Sequence, residues 1–231
     1  MTKNGVIMSD TINNKAVIFD LDGTLIDSVP DIADNINLML RKFGYKTLQL
    51  EQIKSFVGHG ARKLVEDCIG KELTKEELDE RLKFYNESYT GSGSPKTRLF
   101  DGVENMINTL KNLGYKIAIL TNKPQETTNN VVENYMNDLK IDIVVGQRGD
   151  VKCKPDKTAT LNILSKLNVK PSNAYFVGDG DTDVLTSINC GTNGIAVLWG
   201  YSSMEKLKGA GAKVFAKTPQ EVVDIILNKK A

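Results

Sequence analysis

The sequence is poor in several features that would place it in a specialised class. Cysteine occurs three times, at Cys68, Cys153 and Cys190. The odd number, the wide separation and the lack of any CxxC spacing argue against a disulfide framework or a zinc site and fit reduced thiols. No apolar run approaches the roughly 18 residues that a membrane-spanning helix needs, so no membrane partner is expected. Neither sign of charge dominates: 30 Lys and Arg against 29 Asp and Glu give a formal net charge of +1. With no Lys/Arg block either, nucleic acid is not an expected partner. The opening stretch MTKNGVIMSDTINNK is polar and lacks the apolar centre of a signal peptide. Residues 1–14 are therefore expected to form a flexible lead-in, and the expected location is the cytoplasm.

The residues that are present describe a globular chain long enough for one large domain with an insertion: 231 residues, 40% hydrophobic and 26% charged. From residue 98 onward, short apolar runs alternate with helical periods. VENMINTLKNLG carries Val103, Met106, Ile107, Leu110 and Leu113 on one face, and YKIAILTNK reads as a strand. IDIVV (141–145), NAYFVGD, NGIAVLWG and AKVFA read as further strands. Between them lie a helix with Leu161, Leu164 and Leu167 inward, and another through Val184, Leu185 and Ile188. Strands separated by helices predict an α/β fold with a parallel sheet covered on both faces. Residues 29–97 read differently. Three amphipathic helical stretches follow one another there, the last opened by the Thr74–Glu77 capping box, and the interval ends at the hinge-like TGSGSPKT.

Ligands in open parallel sheets sit beyond the carboxyl ends of the strands, so the residues after each apolar run are the informative ones. AVIF, residues 16–19, runs into Asp20 and Asp22, which as strand residues two apart are expected to point the same way. Thr121 and Asn122 follow the second strand, Lys154 heads the helix after the third, and GDGDTD after the fourth contains Asp179, Asp181 and Asp183. Such acids are tolerable together if a hard cation neutralises them, and magnesium prefers oxygen ligands. Asp20 and Asp179 are the candidate direct ligands. Lys154, the Thr121 hydroxyl and the Asn122 backbone amide suit phosphoryl oxygens. The residues thus predict a metal-containing phosphate site.

In order, DLDGTLIDS, LTNK, KP and VGDGDTDV also resemble the four motifs of the haloacid dehalogenase-like superfamily, from residue 15 to the end. The resemblance implies a Rossmann-like core (15–28 and 98–231) with helices on both faces and an inserted all-helical cap (29–97). It implies that Asp20 is a nucleophile forming an aspartyl-phosphate, with Mg²⁺ as cofactor. Asp22 would be the acid and base and would add its carbonyl to the metal, and Asp183 would orient Lys154 or a metal-bound water. FVGHGARKLVEDCIG and LWGYSSMEKLKGAGAKVFAKTPQEV are similar to bacterial phosphoglycolate phosphatases. A small phosphorylated metabolite, 2-phosphoglycolate first, is then the expected substrate of a monomer or homodimer. His59 and Arg62 in the cap are the candidate contacts to the leaving group. Alternatives are a pyrophosphatase, a nucleotide phosphatase, a β-phosphoglucomutase, or a non-enzymatic phospho-acceptor or binding protein. Dehalogenation is disfavoured because Asp22, an acid that a halide leaving group does not need, is present.

Overall fold

The computed structural model describes residues 14–228; most of the expected lead-in, 1–13, lies outside the described residues. The chain opens with β1 (Lys15–Phe19) and a short β2 (Ile26–Asp27). Four helices follow: α1 (Val29–Lys42), α2 (Leu50–Phe56), α3 (Ala61–Ile69) and α4 (Lys75–Gly91). Next come β3 (Arg98–Leu99), α5 (Val103–Asn112), β4 (Tyr115–Pro124), α6 (Gln125–Met136) and β5 (Ile143–Gln147). The rest is α7 (Thr158–Lys166), β6 (Ala174–Gly178), α8 (Asp181–Cys190), β7 (Asn193–Val197), α9 (Met204–Gly209), β8 (Phe215–Ala216) and α10 (Pro219–Asn228).

Six strands form one parallel sheet in the order β5-β4-β1-β6-β7-β8. Alternation along the strands sends Val17, Phe19, Ile117, Ile119 and Val177 to one face, where α5 and α10 cover them. Ala16, Ile18, Ala118, Leu120 and Phe176 go to the other face, under Ile163 and Leu164 of α7. The chain is α/β, with a Rossmann-like sheet sandwiched by helices. Among the described residues no helix is long and apolar enough to cross a membrane.

Helices α1–α4 bury a separate cluster that includes Ile36, Met39, Leu40, Ile53, Val65 and Cys68. The Thr74–Glu77 box forms as the spacing predicts, with Glu77 N donating to Thr74 Oγ1 (3.2 Å) and Thr74 N to Glu77 Oε2 (2.9 Å). Residues 90–97 are tied down: Asp31 of α1 accepts from Lys96 N (2.9 Å) and Thr97 Oγ1 (2.7 Å). Several details differ from the sequence reading. Leu113, expected on the apolar face of α5, lies at the surface. The β2–β3 ribbon and the short α2 were not anticipated, since two-residue strands and a seven-residue helix carry almost no periodic signal. Leu161 lies at the surface, because α7 turns Ala159, Ile163 and Leu164 to the sheet instead.

Candidate active site

Strand β1 lies between β4 and β6, so the residues beyond Phe19, Leu120 and Gly178 converge at one point of the sheet edge. Asp20 N donates to Val177 O (2.9 Å), which fixes the exit of the chain from β1. Its Oδ1 accepts from Leu21 N (2.7 Å) and lies 2.7 Å from Lys154 Nζ. The same ammonium is 2.7 Å from Asp183 Oδ1, on the first turn of α8. Asp20 Oδ2 is left without a hydrogen-bond partner among the described residues.

Each neighbour is positioned by backbone. Asn122 Oδ1 accepts from Lys154 N (2.8 Å), clasping the lysine's loop to the end of β4. Asp183 Oδ2 accepts from Gly180 N (2.9 Å). Asp179 takes Thr24 Oγ1 (2.9 Å) on one oxygen and Tyr201 N (2.7 Å) on the other. Gly23, at φ +83°, permits that approach: a Cβ there would stand 2.4 Å from Asp179 Oδ2.

Three buried carboxylates share one buried ammonium, and their proton affinities reflect it. Burial pushes Asp20 up to about 7, and the Asp183 charge adds to the shift against the opposing pull of Lys154. Burial also pushes Asp179 to about 7, with the Asp20 charge reinforcing it. Asp183 is raised by the same desolvation. Burial works against the charged form of Lys154, but Asp183 and Asp20 outweigh it and hold its proton more tightly than usual. The cluster therefore carries more negative charge than its protein partners neutralise. Asp20, Asp179 and Asp183 each offer an oxygen, and these atoms lie within 4.8 Å of one another. An all-oxygen, undercompensated set fits a hard divalent cation.

Asp22 lines the same cavity as Asp20 but faces a different group of partners. The strand ends at Phe19, and Leu25 N already donates back to Leu21 O (2.9 Å), so the pleat is not what aims Asp22. Turn geometry does that. Its Oδ1 accepts from Ser28 Oγ and from Lys123 Nζ (3.0 Å), while Oδ2 keeps only a 3.3 Å contact to the same ammonium. Thr121 to Lys123 also lie inside β4, not beyond it, in a stretch where the ladder with β5 slips between Leu120 and Pro124. The slip frees these residues from regular pairing, and Thr121 Oγ1 accepts from Lys123 N (3.2 Å).

The two cap candidates do not reach this cavity. Arg62 pairs with Asp79 across α3 and α4. His59 Nε2 stands 3.4 Å from Asp181, which also faces Lys206 at 3.4 Å. Both line a neighbouring pocket with Arg148 and Cys153. Asn122 lines the cavity, and its side chain is bound within the protein, with Nδ2 donating to Gly58 O (3.0 Å) in the loop between α2 and α3. Residues that the sequence reading assigned no role stand beside the acids instead: Thr24, Ser28, Tyr89, Lys123 and Tyr201. Lys123 sits directly after the Thr-Asn pair and was legible by position, whereas Tyr89 reaches the site only by docking of α4.

A family model described as haloacid dehalogenase-like hydrolase matches residues 17–197. A phosphoglycolate phosphatase of Psychrobacter arcticus is 33% identical over 83% of this chain and 86% of its own. One from Vibrio parahaemolyticus is 28% identical, over 92% of this chain and 96% of its own. A solved structure from Lactobacillus delbrueckii subsp. bulgaricus, provisionally assigned as a phosphoglycolate phosphatase, superimposes with a TM-score of 0.84. It is 26% identical and covers 93% of this chain and 99% of its own.

Proposed function

The chain belongs to the haloacid dehalogenase-like hydrolases and is a phosphatase, and from that premise we propose that it hydrolyses 2-phosphoglycolate with Mg²⁺ as cofactor. The observation that carries the reading is the convergence of Asp20, Asp22, Thr121, Lys154 and Asp179 around one sheet edge, beside a cavity of about 40 Å³. That space suits a small leaving group. Asp20 and Asp179 would hold the ion with the Asp22 carbonyl, and when bound the ion supplies positive charge against the phosphoryl oxygens.

In this reading Asp20 Oδ2 attacks phosphorus, and the bond from phosphorus to the substrate oxygen breaks as the aspartyl-phosphate forms. Lys154 and the Thr121 hydroxyl hold the phosphoryl oxygens in line for that attack. Asp22 gives its proton through Oδ2 to the departing oxygen. It then takes one from the water that cleaves the acyl-phosphate, which returns both carboxyl groups to their starting forms. Asp183 fixes Lys154 in place. We assign residues 15–28 and 98–231 to the core domain and 29–97 to a cap that closes over it, a division supported by the separate apolar cluster of α1–α4. Three unpaired thiols support a cytoplasmic location.

A panel of 2-phosphoglycolate, pyrophosphate, nucleoside monophosphates and sugar phosphates, assayed with Mg²⁺, tests the substrate. The expected result is a kcat/KM for 2-phosphoglycolate at least about tenfold above every other compound, a gap of roughly 1.4 kcal/mol in transition-state binding. A flat profile, or a maximum on pyrophosphate, overturns the substrate assignment.

A further inference from the structure

The cavity beside Asp20 and Asp22 is walled on the cap side by apolar and aromatic groups, Ile32, Val57, Ala61, Leu64 and Tyr85. Among the described residues that line it, Lys123 is the single cationic side chain. The other nearby basic side chains are engaged elsewhere: Lys154 with Asp20 and Asp183, Arg62 with Asp79, His59 with Asp181. The Lys123 side chain is 3% exposed. Its Nζ donates to Asp22 Oδ1 (3.0 Å) and to Tyr89 Oη (2.9 Å).

An ammonium has three N–H donors. Asp22 Oδ1 and Tyr89 engage two of them, and the third is held only by the longer 3.3 Å contact to Asp22 Oδ2, which an anion entering the cavity can replace. Once Asp22 has given up its proton, a leaving group with its own carboxylate would meet the Asp22 carboxylate in that space, and two like charges at close range repel strongly. A cation shared between them removes the repulsion. A neutral leaving group has no such need.

We propose that Lys123 is the specificity-determining residue of this phosphatase, selecting substrates whose leaving group is itself anionic by giving its third donor to that anion. The inference rests on the phosphomonoesterase reading above and deepens it. Tyr89 matters because it belongs to α4 and holds Nζ in place, so the specificity cation is complete only with the cap docked on β4.

The test compares 2-phosphoglycolate with 2-hydroxyethyl phosphate, its counterpart with an uncharged leaving group, in wild type, Lys123→Met and Lys123→Arg. Both leaving groups are primary alkoxides, so damage to Asp22 lowers both rates alike and cancels in the ratio of kcat/KM. The ratio is also independent of the folded fraction of each preparation. The expected result is a wild-type preference for the anionic substrate that falls about tenfold to a hundredfold in Lys123→Met, mainly through KM, and is largely kept in Lys123→Arg. An unchanged preference in Lys123→Met overturns the role of Lys123 and leaves the substrate reading standing. A wild type without any anionic preference overturns both.

Discussion

The cavity has two walls built in opposite ways. On the core side, Asp20, Thr121 and Asp179 ride on three adjacent strands of one ladder, and Lys154 is clasped to them through Asn122. On the cap side, the wall comes from helices with their own apolar cluster. They reach the core through a handful of polar contacts, among them Asn122 Nδ2 to Gly58 O, Lys123 Nζ to Tyr89 Oη, Thr90 to Thr127 at 3.1 Å between hydroxyls, Tyr135 Oη to Ser94 O, Val29 N to Tyr201 Oη, and His59 beside Asp181. A bond-making group must be held to a fraction of an ångström, and a sheet does that. A wall that admits substrate must be able to part from the core, and a surface joined by a handful of hydrogen bonds does so at modest cost. Chemistry thereby sits on the core, while choice is shared between the two walls, since Lys123 belongs to β4 and its partner Tyr89 to α4.

If that division is right, the most severe loss comes from the core wall. Asp20→Asn keeps the shape of the side chain and removes the nucleophile. Release of phosphate from p-nitrophenyl phosphate should fall by at least about a thousandfold. The thermal midpoint should stay level or rise, because the substitution removes one charge from an undercompensated buried cluster. Turnover within tenfold of wild type would show that another group attacks phosphorus.

The same contrast governs how much of the molecule was legible in its sequence. Strand ends are legible because a parallel sheet brings consecutive strand termini to one edge, whatever the helices between them do. Asp20, Asp179 and Lys154 meet for that reason. The cap contacts depend on how helices far apart in the chain dock, and no local period encodes that. His59 and Arg62 were attractive by residue type, yet their partners are Asp181 and Asp79. Tyr89 carries no local signal that sets it apart within its helix, and it is the cap residue that touches Lys123. Asp22 falls between the two cases. Its place in the cavity was foreseen on the strength of the strand pleat, but the strand had already ended, and a turn does the aiming.

A second effect, intermediate in size, concerns stability without metal. Asp20 and Asp179 each titrate near 7 in the folded chain, against about 3.9 for an unfolded aspartate. The folded state thus holds protons that the unfolded state releases. The stability they contribute is fully present below about pH 4 and is lost as the pH rises through 7. With divalent ions chelated, the thermal midpoint should fall between pH 5 and pH 7.5. Asp179→Asn, which cannot ionise, should flatten that fall, and Mg²⁺ added at pH 7.5 should raise the wild-type midpoint more than the variant's. Parallel midpoint curves for the two proteins would mean that the buried charge is balanced by groups other than the metal.

The smallest expected effect probes the far side of the cap. Arg62 and Asp79 join α3 to α4 with side chains 49% and 44% exposed, away from the lining of the Asp20 cavity. Exposed pairs of this kind contribute little, because water screens the attraction and two long side chains lose freedom. Arg62→Ala should therefore change kcat/KM for 2-phosphoglycolate by less than about threefold, with the thermal midpoint lowered by no more than roughly 2 °C. Were Arg62 to leave Asp79 and grip the substrate's carboxylate in the working enzyme, the loss would exceed about tenfold and fall mainly on KM. Asp79→Ala separates the cases further: a purely structural pair makes the two single variants behave alike. An arginine that works on substrate gives a damaged Arg62→Ala beside an unimpaired Asp79→Ala, since freeing the guanidinium does not remove it.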